Sequence, residues 1–405
     1  MNGIFKRIMA IGGVTALIGS YVGARSTLRA GVCAAGVTFL LLAVKWGCDR
    51  LMTDGTRSVK TAARRRDFDW SMHYFRGLAI VAIVLGHLVE VFGHPALHKA
   101  FFYNATVYFI FISGYLCQYL HRDRSRFETM DFFRRKALNV ICPYLACSTA
   151  TVAIVLAIGT PQEWMFNPFG ASAVRFVRLY GQGLAQVPYW FIPFVSILFL
   201  LSPAMLKLDD RGLMRLFALS LVPFALMSER GGLFTLQPVP FLMKFFFFFP
   251  AYVFGFVYAR KRVEIERMLG GCWPVLLLFA GVLGVLIACP GLFGFHLTNV
   301  DLATNVQKLV LLIVIVRFLG FVRDRRIAVL DALAKYSFAM FFLHVFFLFD
   351  FVRLRDGVVR AGNLLAAAAA IAEVALAVVY VAFVCAVSAV LKLAIGRHSR
   401  SFVGA

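Results

Sequence analysis

Charge is scarce in this chain: only 15% of its 405 residues are Asp, Glu, Lys or Arg, and the acids number just 20. Hydrophobic residues make up 61%, more than a water-soluble domain of this length can hide, so a soluble globular fold is excluded. Disorder is excluded by the same balance, because it requires low hydrophobicity. None of the eight cysteines forms a CxxC pair, so no metal ribbon or dithiol centre has a framework. They lie mostly in or beside apolar runs, as small apolar fillers do. There is no GxxxxGKS or GxxxxGKT loop, no GxSxG elbow and no HExxH helix. ATP-driven transport and zinc proteolysis therefore have no support, and neither a metal site nor a permanently bound cofactor is expected.

What the chain does have is twelve apolar runs bounded by charge, Pro or Gly, which predicts an all-α polytopic membrane protein. Two short runs, 8–23 and 30–46, stand apart within residues 1–49. A basic linker, 50–69, follows, carrying Arg57, Lys60, Arg64, Arg65 and Arg66. Ten core spans are expected across 70–395, near 72–92, 101–120, 138–158, 188–206, 213–228, 240–259, 273–289, 302–322, 333–351 and 362–392. Residues 396–405 would form a tail. The 42 basic residues fall in short clusters between spans. With the N terminus in the cytoplasm, cytoplasmic segments carry about three times as many Lys and Arg as the opposite loops. Both termini are then cytoplasmic, and lipid rather than nucleic acid is the surrounding partner. Arg353, Arg355 and Arg360 are the exception, on an outer loop where they would meet anionic headgroups or an acidic substrate, unless one span is miscounted.

Ionisable residues inside spans are costly and mark candidate sites. Arg76 and His87 lie eleven residues apart in RGLAIVAIVLGH. Eleven steps of 100° bring them to nearly one helix face, about 16 Å apart along the axis. Arg76 sits near the cytoplasmic end and His87 deeper, with Glu90 one turn beyond to orient the imidazole. A guanidinium that neutralises phosphate and an imidazole that moves protons near neutrality suit a long carrier such as coenzyme A. The plainer reading is that Arg76 snorkels and His87 bonds a neighbouring helix. Asn104, Ser113 and Gln118 read as interhelical hydrogen bonders. His344 is a lone histidine on an apolar helix, Lys244 and Lys308 read as snorkelling outer-end bases, and Trp190 reads as an interfacial anchor. Glu373 requires a partner that the sequence does not identify.

In order, FRGLAIVAIVLGH, FFYNATVYFIFISGYL, FFRRKALNVICPYL, YWFIPFVSILFLLSP and YSFAMFFLH resemble the acyltransferase family 3 of bacterial membrane proteins over roughly 70–395. The resemblance implies ten spans and an O-acyltransferase of the inner (plasma) membrane. It would acylate, usually acetylate, a cell-envelope glycan or lipid-linked sugar from cytoplasmic acyl-CoA. It also assigns coenzyme A contact to Arg76 and catalysis to His87, as general base or as transient acyl carrier. Glu90 joins His87 on the catalytic side. Arg134, Arg135 and Lys136 join Arg76 on the donor side, and Ser113, Tyr115, Trp190 and His344 are expected on the substrate side. Gly114 would let helices approach closely. Two features depart from the family: His73 stands where many members have an acid, and Lys136 and Asn139 replace an Arg-x-x-Arg. The loop 159–187, with Arg175, Arg178, Tyr180 and Gln182, is the candidate acceptor lid. A proton-coupled transporter using His87 and Glu90, or a glycan ligase or flippase component, are the rival readings.

Overall fold

The computed structural model describes residues 68–123, 127–158, 166–167, 172–226, 238–269, 271–289, 299–322, 325–361 and 366–405. The expected spans 8–23 and 30–46, and the linker up to residue 67, lie outside the described residues. All regular structure within them is helical. The chain runs α1 (Trp70–Val91), a π-turn (His98–Phe102), α2 (Thr106–Leu120) and α3 (Thr129–Lys136). A second π-turn (Ala137–Ile141) leads into α4 (Cys142–Ile158), α5 (Ala173–Gln182), α6 (Phe191–Lys207) and α7 (Asp210–Leu226). Then come α8 (Pro238–Leu269), α9 (Trp273–Ala288), α10 (Val300–Gly320), α11 (Ala328–Ala361), α12 (Ala366–Ile395) and the short α13 (Ser399–Val403).

Over its described residues, each of the ten core runs read from the sequence falls mainly on helix. Seven helical stretches are long and apolar enough to cross a membrane alone, and an eighth span arises if α8 and α9, bent by 93° at their junction, act as one. The protein is therefore a multi-pass helical membrane protein. With 17 residues, α7 is shorter than the ~20 that a full crossing takes.

At the centre is α1, which touches α2, α10, α11 and α12. Its start is fixed by Asp69, whose side chain accepts from the Met72 N–H. It runs parallel to α11 in constant register. His73 pairs with Asp331, Arg76 with the Ala334 carbonyl, and His87 with the His344 ring. The most extensive contact joins α2 and α8, where two glycines make the approach. A Cβ on Gly114 would fall 2.2 Å from the Tyr252 carbonyl oxygen, and one on Gly255 2.3 Å from that of Phe111. Phe247 and Phe248 of the phenylalanine run pack inward, Phe248 stacking on Trp190 at 5.6 Å.

Two charged residues read as snorkelling are instead buried. Lys308 is fully covered and donates to the Ala100 carbonyl and to Gln307 Oε1. Lys244, 3% exposed, lies 5.1 Å from the centre of the Trp190 ring. Neighbouring helices supply acceptors and an aromatic face inside the bundle, so neither ammonium has to reach water. Glu373 finds its partners at the far end: Arg355 Nε at 2.9 Å and His94 Nε2 at 2.7 Å. Arg355 also donates to Asp356 and to the Phe92 carbonyl, so it is engaged within the fold rather than presented to headgroups. Residues 399–405 are not a solvated tail: Phe402 is 1% exposed and α13 packs on α4.

Candidate active site

A cavity of about 140 Å³ opens beside the C-terminal half of α1, lined by Gly86, His87 and Glu90 from that helix. His98 and Phe102 of the first π-turn, Asn104, and Pro188 and Trp190 before α6 complete much of the wall. The turn into α2 is possible because Asn104 adopts φ +63°, a left-handed conformation that asparagine tolerates better than most residues. Its amide is anchored by Thr304 Oγ1 at 2.8 Å on α10.

His87 stacks on His344, with ring centres 5.4 Å apart and planes 19° from parallel. His344 Nδ1 is 3.0 Å from the carbonyls of both Met340 and Phe341. Carbonyls only accept, so Nδ1 carries the proton and Nε2 presents a lone pair. That nitrogen is buried and has no hydrogen-bond partner among the described residues. Glu90 lies between two imidazoles, Oε2 being 3.9 Å from His87 Nδ1 and 3.8 Å from His98 Nδ1.

At the other end of the same α1 face, Arg76 donates through Nε and Nη2 to the Ala334 carbonyl, at 3.1 and 2.8 Å. These bonds leave further N–H donors of its fork for an anion. Three residues before Arg76, His73 Nε2 is 3.0 Å from Asp331 of α11, which also accepts from Arg326. Lys136 turns inward, its ammonium 4.1 Å from the centre of the Phe199 ring. Arg134 and Arg135 face outward, and Arg135 pairs with Asp131 on its own helix.

A family model described as an acyltransferase domain (Acyl_transf_3) matches residues 69–393. The chain belongs to that family. No curated protein and no solved structure matches it.

Within this acyltransferase, the residues singled out from the sequence separate into three places. His87, Glu90 and Trp190 line the cavity, and His344 stacks on His87 without lining it. Trp190 is 5% exposed and walls the site, so it is not an interfacial anchor. Arg76 and Lys136 share the opposite end. Ser113 and Tyr115 reach neither: Ser113 donates to its own helix at the Phe109 carbonyl. Tyr115 donates to Asp69 at 2.6 Å in a network closed by Arg262, which is 2.6 Å from the same carboxylate. Burial pushes the Asp69 carboxyl up, but Arg262 and the bonds from Ser71, Tyr115 and the Met72 N–H outweigh it and hold it below the usual carboxylate range.

His98 escaped the sequence reading because it sits in a segment read as an outer loop, with no periodic partner. Of the candidate lid, α5 is described, and Tyr180 is held by Tyr144 and Thr149. Among the described residues no group of His, Cys, Asp and Glu is spaced to hold a metal ion.

Proposed function

We propose that this acyltransferase moves an acyl group, in the first instance acetyl, from cytoplasmic acyl-CoA to a hydroxyl of a cell-envelope glycan or lipid-linked sugar. The observation that carries the reading is Arg76 and His87 on one face of α1, an anion-binding group at the basic end and an imidazole in a walled cavity at the other. The cavity supports a short acyl group: about 140 Å³ is close to the ~150 Å³ of an engineered cavity that admits benzene.

In this scheme Arg76 and Lys136 hold the donor's phosphates and the thioester reaches the cavity. His87 takes the proton of the acceptor hydroxyl as its oxygen bonds to the thioester carbon. The carbon–sulfur bond then breaks, and the proton passes from His87 to the leaving thiolate. Glu90, within 4 Å, stabilises the imidazolium between these steps. The apolar wall formed by Phe102, Phe341 and Trp190 keeps water from competing with the acceptor. By this reading the protein lies in the bacterial inner membrane with both termini in the cytoplasm.

Transfer of label from isotopically labelled acetyl-CoA into envelope glycans, read by mass spectrometry, tests the proposal. Wild type, a deletion strain and His87→Ala are compared at matched expression. Label is expected in wild type alone. Equal label in the deletion strain removes the proposed reaction, and undiminished label in His87→Ala removes the catalytic assignment.

A further inference from the structure

Arg76 and Lys136 belong to a larger cluster of cations. The charge of Arg400 acts on both of them and on Lys392, which also feels Lys335. None of these five residues forms an ion pair with a carboxylate among the described residues. Five uncompensated positive charges at one end of a bundle are mutually repulsive, and a polyanion relieves that repulsion. Arg400 and the segment that carries it lie beyond the matched family domain, which ends at residue 393.

That segment also occupies a particular level of the bundle. After Gly396 the chain turns back, and Phe402 and Val403 are buried against α4, where Cys147 Sγ donates to the Phe402 carbonyl at 3.8 Å. Gly404, at φ +73°, lies so close to α11 that an added Cβ would fall 2.6 Å from the Phe338 ring. Phe338 is four residues past Ala334, the partner of Arg76, and six before His344, the partner of His87. At 1.5 Å per residue, Gly404 sits about 6 Å above the Arg76 level and about 9 Å below the histidine pair. Phe341, between them, is already a wall of the cavity.

We propose that residues 399–405 form a displaceable plug in the passage between Arg76 and His87, and that Arg400 is a donor-binding residue through which the phosphates of acyl-CoA lift it. The proposal rests on the acyl-CoA reading above. Without donor the plug closes the route by which water and ions would reach the cavity from the basic end. When the polyanion binds, Arg400 turns toward the phosphates, Phe402 leaves α4, and the thioester arm advances.

The test uses the full-length protein in detergent with Cys147 kept and the other seven cysteines replaced by alanine. Cys147 is 5% exposed beneath Phe402, so its reaction with a small water-soluble maleimide reports displacement. The ligand is desulfo-coenzyme A, which has no thiol, and thermal stabilisation scores its binding separately. Saturating ligand is expected to speed labelling by about tenfold, the shift being set by its preference for the displaced state. Gly404→Val, and Phe402→Ala should the first variant not fold, are expected to label fast without ligand. Arg400→Ala is expected to bind the ligand about tenfold more weakly, the loss of one charge-assisted contact. Stabilisation by the ligand with unchanged Cys147 labelling overturns the plug while leaving the donor reading intact. Absence of stabilisation in wild type and in the plug variants alike overturns both.

Discussion

His344 lies face to face with His87 and carries its proton on the nitrogen turned to its own helix, at the carbonyls of Met340 and Phe341. The stack therefore fixes the imidazole plane of His87 and leaves a buried lone-pair acceptor, unpartnered among the described residues, on the neighbouring ring. His344→Phe keeps an aromatic ring but loses that acceptor. Acetyl transfer by this variant should fall by about 10²-fold, the scale of a lost proton-handling group. Stabilisation by desulfo-coenzyme A should stay unchanged, and steady-state kinetics beside a melting curve separate the two.

Trp190 is expected to control where the acyl group goes. It walls the cavity and stacks on Phe248, so Trp190→Ala opens the site to water. The ratio of donor hydrolysis to acceptor transfer should rise several-fold, measured as thiol release against acylated product. A proportional fall of both rates would show a purely packing role.

Lys308 is a positioning residue. Its ammonium holds the Ala100 carbonyl of the π-turn that presents His98 and Phe102 to the cavity. Lys308→Met fills the space but leaves that carbonyl unsatisfied, at a cost of about 1–3 kcal/mol. Turnover should drop while donor affinity holds, since Arg76 and Lys136 are untouched.

The Asp69–Arg262 pair sets an acid limit on stability. The folded pKa of Asp69 lies below its unfolded value, so the pair's contribution is fully present above about pH 4 and is lost as pH falls through the folded value. Asp69→Asn should lower the melting temperature at pH 7 and flatten its dependence below pH 4. The loss should be about 2–3 kcal/mol, less than for a fully buried pair. Melting curves in detergent at pH 3 to 8 check both the size and the sign.

Gly114→Ala is expected to abolish folded protein or separate α2 from α8. The new methyl would fall 2.2 Å from the Tyr252 carbonyl oxygen, a backbone atom that cannot swing aside. Overpacking typically costs 1–3 kcal/mol, and a backbone collision of this depth exceeds it. Size-exclusion chromatography of the solubilised variant gives the outcome directly.

The all-helical membrane architecture was legible in the sequence because lipid imposes one rule: long apolar runs must satisfy their backbones internally. The count of ten spans was not, since seven helical stretches among the described residues are long and apolar enough to cross alone, eight with the bent pair. The Arg76–His87 face was legible too, since helical periodicity alone decides which residues of α1 share a side. Local periodicity carries no information about partners, and that is where the readings and the structure part. Lys244 and Lys308 read as snorkelling because a lone lysine in a span has no visible acceptor, yet helices remote in sequence supply an aromatic ring and a carbonyl. Tyr115 sits in a motif block with Ser113 but points to Asp69 and Arg262, a contact made across 147 residues to the arginine. His98 joins Glu90 only because the π-turn folds back over α1. Composition and periodicity thus determined that the chain is a helical membrane protein and which face of α1 bears its chemistry. The tertiary structure decided which side chains wall the cavity, which cations remain uncompensated, and that residues 399–405 pack onto the bundle, because those relations depend on how helices far apart in the chain pack together.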